Sequence, residues 1–321
     1  MTNSLIASQL PFALKDTRFD SLGERYQGKV RDVYRKGDQL ILVTTDRLSA
    51  FDHVLTTIPF KGEVLNQLAV FWFEKTRHIV PNHLREMPDP NVAVARRCEP
   101  FPVEFVIRGY ITGSLWRDYQ EGKHTAYGIA LPRGLKRDQK FDQPIITPST
   151  KAEYGQHDEP ISEKELLARG LIGRRNWERT SELAMALFLE GQRWARSRGL
   201  ILVDTKYEFG KDGDEIVLID EIHTPDSSRY WIADEYDARF QRGDDQKMLD
   251  KENIRQWLIR ERGFSGSGTP PPIPDAVRID LAEKYLAAYE QITGKPLPLA
   301  VGDVRSRIEK NLGAKGYLPK P

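Results

Sequence analysis

A single cysteine, Cys98, in a chain of 321 residues leaves no means of closing an intrachain disulfide, and it excludes zinc sites built on cysteine clusters. Such sparing use suits a protein kept in a reducing compartment, and a cytoplasmic location is expected. An excess of charge of either sign is also missing. The 48 basic and 47 acidic residues leave a formal net charge of +1. That balance argues against a surface that coats nucleic acid, while leaving room for local basic pockets. No apolar run reaches the length of a membrane span, so no membrane partner is expected. The start, Met1 to Leu14, lacks a basic stretch followed by a sustained apolar core, which argues against a signal peptide. No internal repeat is found. The length suits two domains, or one large one with appendages.

What is abundant is concentrated between Gly199 and Trp231. Two runs rich in Ile, Val and Leu flank a turn containing Asp212-Gly213, a strong hairpin signal. In the first run Asp204, Lys206 and Glu208 alternate with Val203, Thr205 and Tyr207, so the three charges project from one face. The second run brings Asp220 and Glu221 back past the same neighbourhood. A three-residue loop would put Asp220 on the charged face, and a two-residue loop would put Glu221 there. Both remain open, because a slip of one residue exchanges the faces. Carboxylates and an ammonium that converge on an otherwise buried sheet need a partner. A divalent cation with phosphate oxygens is the natural one, and a structural salt-bridge ladder is the competing reading.

Residues 1–20 show no clear period and are expected to pack as an arm. Gly28 to Tyr34 and Leu40 to Thr44, on either side of Lys36-Gly37-Asp38, form a second hairpin. Gly23 to Val30 imitates a phosphate-binding P-loop. However, Val30 stands where that loop needs Ser or Thr, and a strand follows instead of a helix, so the P-loop is rejected. Lys29 can still meet nucleotide phosphates in the manner of kinase-like lobes, or be a surface lysine beside a turn. Asp46 to Asp52 reads as a polar loop, and Gly62 to Thr76 as an amphipathic helix with Leu65, Leu68, Ala69 and Trp72 inward. A strand over Pro102–Ile107 leads into Arg108 and, past two glycines, Ser114 at a helix start. Free amides, hydroxyls and a guanidinium there make an anion site, against the plainer reading of a serine cap. Residues 120–175 read as loops, with Thr147 to Glu153 and His157-Asp158-Glu159 among them. Glu178 to Arg198 is a helix stopped by Gly199. Helices near Lys251–Arg260 and over Asp275–Ile292 flank a Gly, Ser and Pro linker, and the tail beyond them is expected to fray.

Gly28–Tyr34, Thr45–Asp52, Val106–Trp116, Thr147–Asp158, Asp204–Gly210 and Asp220–Trp231, in that order, resemble the phosphoribosylaminoimidazole-succinocarboxamide synthase (SAICAR synthetase) family, in its longer, yeast-like branch. The resemblance implies an α+β fold of two lobes: an antiparallel nucleotide lobe, residues 1–105, and a larger α/β lobe with C-terminal helices, residues 106–321. It implies a carbon–nitrogen ligase. Such an enzyme joins L-aspartate to the carboxylate of 5-amino-1-(5-phosphoribosyl)imidazole-4-carboxylate (CAIR), consuming ATP with magnesium in purine biosynthesis. By resemblance Lys29 meets the ATP phosphates, and Cys98, Glu99, Pro100, Phe101 and Pro102 lie against the adenine. Glu208 and Asp220 hold magnesium, while Asp204 and Lys206 face substrate with catalytic roles. Arg108, Ser114 and Arg229 take the ribonucleotide 5′-phosphate, and Ser49 and Asp52 border the imidazole.

Aspartate brings two carboxylates and an amine, so its site needs donors and acceptors together. Lys151 and His157, with Ser149, Thr150 and Asp158, offer them from a long polar loop of the kind that closes over substrates. Two other classes stay in view. A phosphotransferase would release ADP without aspartate, although no His-Arg-Asp loop or Asp-Phe-Gly of protein kinases occurs. A non-catalytic nucleotide-binding module would have no reason to keep Lys29, Glu208 and Asp220 together. The oligomeric state is not legible.

Overall fold

The structure is a computed structural model that describes residues 3–51, 53–151, 159–249 and 252–319. Helix α1 (Asn3–Gln9) precedes strands β1 (Glu24–Gln27), β2 (Arg31–Lys36) and β3 (Gln39–Thr44). A small hairpin of β4 (Arg47–Ala50) and β5 (His53–Thr57) follows, then helix α2 (Lys61–Thr76) and strands β6 (Leu84–Asp89) and β7 (Val92–Arg96). Five of these strands pair antiparallel in the order β1-β2-β3-β7-β6. Arg97 and Cys98 then carry the chain into β8 (Glu99–Tyr110), the first strand of a second sheet.

That sheet is built on two long antiparallel strands, β8 and β11. After β8 come helix α3 (Gly113–Gln120), strands β9 (Lys140–Ile146) and β10 (Ser149–Thr150), and helices α4 (Glu163–Ala168) and α5 (Arg174–Ser197). Strands β11 (Leu200–Asp212), β12 (Glu215–Ile219) and β13 (Ser228–Ile232) complete it, followed by helices α6 (Ala233–Arg242), α7 (Glu252–Arg262), α8 (Asp275–Thr293) and α9 (Val304–Ala314). One edge of β11 pairs with β8, and the other is shared between β12 and β13. The mixed α+β architecture with antiparallel sheets is the one expected.

Strand alternation decides where the core lies. Val103, Phe105 and Ile107 on β8, with Tyr207 and Phe209 on β11, are buried against Trp177, Leu183, Leu187 and Phe188 of α5. Each such side chain contributes roughly 1.5–3 kcal/mol on burial. Gly199, at φ +70°, ends α5 and turns the chain straight into β11.

Several segments depart from the expectations. The arm contains α1, and Asp46 to Asp52 is largely strand where a loop was read; Asp52 itself lies outside the described residues. The 120–175 region holds β9, β10 and α4, the last opened by a capping box between Ser162 and Glu165. As far as it is described, the tail is packed and not loose. Asp303 accepts from the amides of Arg305 and Ser306, and Val304, Ile308 and Leu312 of α9 pack on Tyr34, Ile41, Val43, Val92 and Val94 of the first sheet. A four-residue apolar spacing in a charged background made α9 hard to see, because its burial depends on a sheet two hundred residues away.

Candidate active site

The pairing of β8 with β11 sets Arg108 beside Asp204, Val106 beside Lys206 and Glu104 beside Glu208. All six side chains share the face opposite the core. On it the Lys206 ammonium binds Glu208, reaches Glu104 at 3.0 Å and Asp220 at 3.2 Å. Lys151, from the chain after β10, caps the other Glu208 oxygen. Burial works to lower the Lys206 ammonium, but Glu208, Asp220 and Glu104 outweigh it and hold the group charged well above its ordinary range.

Asp220 joins this face by an unforeseen route. The hairpin loop is two residues, Gly213-Asp214, with Asp212 paired to Glu215. Strict alternation would therefore aim Glu221 at Lys206. The chain leaves β12 at Ile219, however, and Asp220 takes a left-handed φ of +60°, which breaks the alternation and swings its carboxylate onto Lys206. Glu221 turns towards the first sheet, where Arg31 Nη2 binds it at 2.8 Å, and Arg31 Nη1 lies 3.5 Å from Asp220. Burial pushes the Asp220 carboxyl up, and Lys206 and Arg31 overcome it, leaving the group below the usual carboxylate range.

At the other end of the row Arg229 Nη1 binds Asp204 at 2.9 Å, and Arg108 Nη1 lies 3.4 Å from the same oxygen. Arg108 also donates to Ser114 at 3.3 Å and to Thr147 at 2.8 Å. The cap of α3 is Thr112, so Ser114 is free of that duty and turns its hydroxyl to Arg108. Gly113 has φ +58°, and a Cβ there would lie 2.6 Å from the Arg229 guanidinium. Only glycine lets that cation rest against the start of the helix.

The first sheet faces this row. Arg31, Val33 and Arg35 of β2 alternate with the buried Asp32 and Tyr34, and Val33 sits in register with Leu42 and Ala93. Because Arg31 reaches Asp220 and Glu221, that face looks into the gap between the sheets. At its far end a cleft of about 670 Å³ is lined by Arg35, Gly37, Asp38, Leu40 and the Arg97–Pro100 connection. Gly210 lies at the bulge between β11 and β8, where a Cβ would meet the Glu99 carbonyl at 2.8 Å. Lys29 stands in the β1–β2 turn with its side chain exposed. Its backbone is clamped by the buried Arg47, which donates to Gly28 O at 2.9 Å and Lys29 O at 3.2 Å.

The structure thus brings Asp204, Lys206, Glu208, Asp220, Arg108, Ser114, Arg229 and Lys151 into one row, and sets Cys98, Glu99 and Pro100 on the cleft. Phe101 and Pro102 continue along β8 from there. Ser49 is buried in the β4–β5 hairpin, and among the described residues no hydrogen bond or ion pair joins it to the row. Asp52, His157 and Asp158 lie outside the described residues. Glu104, Arg31 and Arg47 went unread in the sequence. Glu104 carried a usable signal, since it lies four residues before Arg108 on a strand and so shares its face.

An enzyme that moves a phosphoryl group onto an anionic acceptor needs room for a nucleotide, neutralisation of charge and a grip on an anion; here a cleft, an ammonium set among carboxylates and an arginine pair follow one another along one face. A match to the SAICAR synthetase family model spans residues 24–268. The phosphoribosylaminoimidazole-succinocarboxamide synthase of Legionella pneumophila (strain Lens) is 48% identical over 310 residues, 94% of this chain and 98% of that protein. That of Cytophaga hutchinsonii is 50% identical over 288 residues, covering 88% and 92%. Among solved structures, SAICAR synthase from Saccharomyces cerevisiae, complexed with SAICAR, superposes with a TM-score of 0.79 at 33% identity, over 89% of this chain and 100% of that one. A SAICAR synthetase in complex with ADP gives 0.65 at 25% identity, over 86% and 100%. The chain belongs to the SAICAR synthetase family. Its reaction is the ATP-dependent joining of L-aspartate to CAIR, which yields SAICAR in purine biosynthesis. Among the described residues no helix is long and apolar enough to cross a membrane.

Proposed function

We propose that the row on β8, β11 and the Asp220 turn carries out the ligation through an acyl phosphate. A carboxylate is a poor electrophile. The γ-phosphoryl of ATP therefore passes to the CAIR carboxylate with release of ADP, and the aspartate amine then attacks the acyl carbon, losing a proton as phosphate leaves. Residues 1–105 present the nucleotide and residues 106–321 the ribonucleotide, in a cytoplasmic enzyme. The adenine lies in the cleft beside Cys98 to Pro102, and Lys29, held out by the Arg47 clamp, meets the phosphates. Arg108, Ser114 and Arg229 grip the 5′-phosphate, and Asp204 keeps the two guanidinium groups together.

Glu208 and Asp220 suit magnesium. Both are carboxylates that converge on one ammonium, and among the described residues no cluster of three acids or histidines forms a protein cage for a metal. Magnesium characteristically takes one or two carboxylates and fills its shell with substrate phosphates and water. When bound, the ion supplies neutralisation of phosphoryl charge. Lys206, held cationic by its three acidic neighbours, stabilises the negative charge that gathers on the transferring group. Lys151, beside Glu208 and half-exposed, is placed to take a carboxylate of aspartate.

The observation that carries this reading is the convergence of Asp204, Lys206 and Glu208 on one face, between the arginine pair and the cleft. Measuring ADP release with ATP and CAIR, with and without aspartate, tests it. ADP and SAICAR are expected to appear one-to-one only when all three substrates are present. Equal ADP release without aspartate would instead mark a phosphotransferase.

A further inference from the structure

The loop between β12 and β13, residues 220–227, ties both halves of the row together. Asp220 and Glu221 stand at its start and Arg229 just past its end. Two of its residues, Asp220 at φ +60° and His223 at φ +56°, hold left-handed backbone without being glycine. Such strain persists only where the surroundings over-determine it. Here they do. His223 is fully buried, bonded to the Tyr207 hydroxyl, and its carbonyl accepts from Tyr230 at 2.9 Å. Thr224 donates to Glu221 at 2.8 Å.

A further hold comes from outside the sheet. Lys61, at the first position of α2, has a fully buried side chain and binds Asp226 at 2.8 Å, and the Asp226 side chain is itself only 4% exposed. The other Asp226 oxygen accepts from the Tyr285 hydroxyl of α8 at 2.6 Å. A buried ion pair contributes little net stability compared with apolar side chains of the same shape. Stability alone therefore gives no reason for placing one here. Its location does, since Asp226 lies between the acidic and the basic ends of the loop.

We propose that Lys61, Asp226 and Tyr285 are positioning residues: their buried ion pair and hydrogen bond hold the 220–227 loop so that Asp220 and Glu221 meet Lys206 and Arg31 while Arg229 meets Asp204. The three act through the loop that carries those carboxylates and leads into that guanidinium. The inference rests on the proposed roles of Asp220 at the metal and Arg229 at the phosphate.

The double variant Lys61→Met/Asp226→Asn tests it, because removing both charges leaves neither member of the pair as a buried ion without the other. It is expected to melt close to the wild-type temperature, well above Lys61→Met alone. Turnover is nevertheless expected to fall by roughly tenfold to a hundredfold, the scale of a misplaced catalytic group, with a raised KM for CAIR. Wild-type turnover and CAIR KM in a folded double variant would overturn the proposal. Should the double variant fail to fold, Tyr285→Phe decides, since it removes one hydrogen bond without adding charge. Lower turnover at unchanged melting temperature supports the network, and unchanged kinetics refute it. Glu208→Gln, assayed beside them for the magnesium concentration that gives half-maximal rate, judges the metal reading separately. An unchanged magnesium requirement there would sink that reading, while turnover and the KM for CAIR in the loop variants still decide the network.

Discussion

Replacing Gly113 by alanine adds one methyl group against the guanidinium of Arg229, the group proposed above to grip the ribonucleotide 5′-phosphate. The new Cβ would stand 2.6 and 2.7 Å from the two terminal nitrogens of Arg229 and 3.0 Å from its Cζ. Those atoms are the far end of a flexible side chain, so the clash is relieved by moving the guanidinium and not by opening the fold. The backbone cost is that of a left-handed residue with a Cβ, about 1–2 kcal/mol. In a chain of this size that lowers the melting temperature by only a few degrees, at roughly 2–4 °C per kcal/mol. The functional cost is larger. A guanidinium pushed out of line loses a charge-assisted hydrogen bond to phosphate, worth about 1.5–3 kcal/mol. That corresponds to a rise of about ten- to a hundredfold in the KM for CAIR. Initial rates measured while titrating CAIR, ATP and aspartate in turn, next to a thermal melt, separate the terms. A KM that rises for ATP and not for CAIR would show that Arg229 serves another ligand. An unchanged KM for every substrate would show that its position against the helix start has no bearing on binding.

Lys151→Ala is expected to raise the aspartate concentration needed for half-maximal rate by about tenfold, the scale of one charged hydrogen bond, and to release ADP uncoupled from SAICAR. Unchanged aspartate dependence with intact coupling would place Lys151 outside the aspartate site. Glu63, buried at the start of α2 with Arg307 at 3.6 Å, is pushed up to about 7 mainly by burial, which Arg307 only partly offsets. An acid whose folded pKa is raised costs nothing while both states are protonated, below about pH 4.5. It destabilises increasingly as pH rises towards 7, because the unfolded chain releases its proton first. The full cost above pH 7 is about 3 kcal/mol at 1.36 kcal/mol per pKa unit. Glu63→Gln is therefore expected to lose less stability than the wild type between pH 5 and 8, measured as urea midpoints. Parallel midpoints across that range would refute the assignment.

Much of the row's geometry was legible in the sequence because strand alternation is a strictly local rule. Asp204, Lys206 and Glu208 share a face whatever the strand pairs with, and β11 bears this out. The two hairpins were equally local: Gly37 and Gly213 both take the positive φ that tight two-residue connections demand. The long helices α2, α5 and α8 followed from apolar spacing and from stops such as Gly199. The segments missed were those whose order is supplied from afar. β4 was read as part of a polar loop, yet Arg47 is buried because it satisfies the carbonyls of Lys15, Gly28 and Lys29 and the carboxylate of Asp32. α9 looked like a loose tail until the outer face of the first sheet gave Val304, Ile308 and Leu312 somewhere to go.

The choice between Asp220 and Glu221 marks the boundary between the two kinds of information. From sequence it hinged on the length of the turn, and the two-residue turn that forms would have aimed Glu221 at Lys206. Tertiary contacts reversed that outcome. Arg31, from the other sheet, draws Glu221 away, while Asp220 accepts a left-handed backbone and takes its place. Alternation along a strand is set by the extended, pleated backbone itself, and any segment carries it with it. Which carboxylate faces the ammonium, and that Glu104 joins it, depends on surfaces brought together from residues 31, 104, 206 and 220. No local pattern encodes such a meeting, because the energy that decides it belongs to the pairs and not to any one stretch of chain.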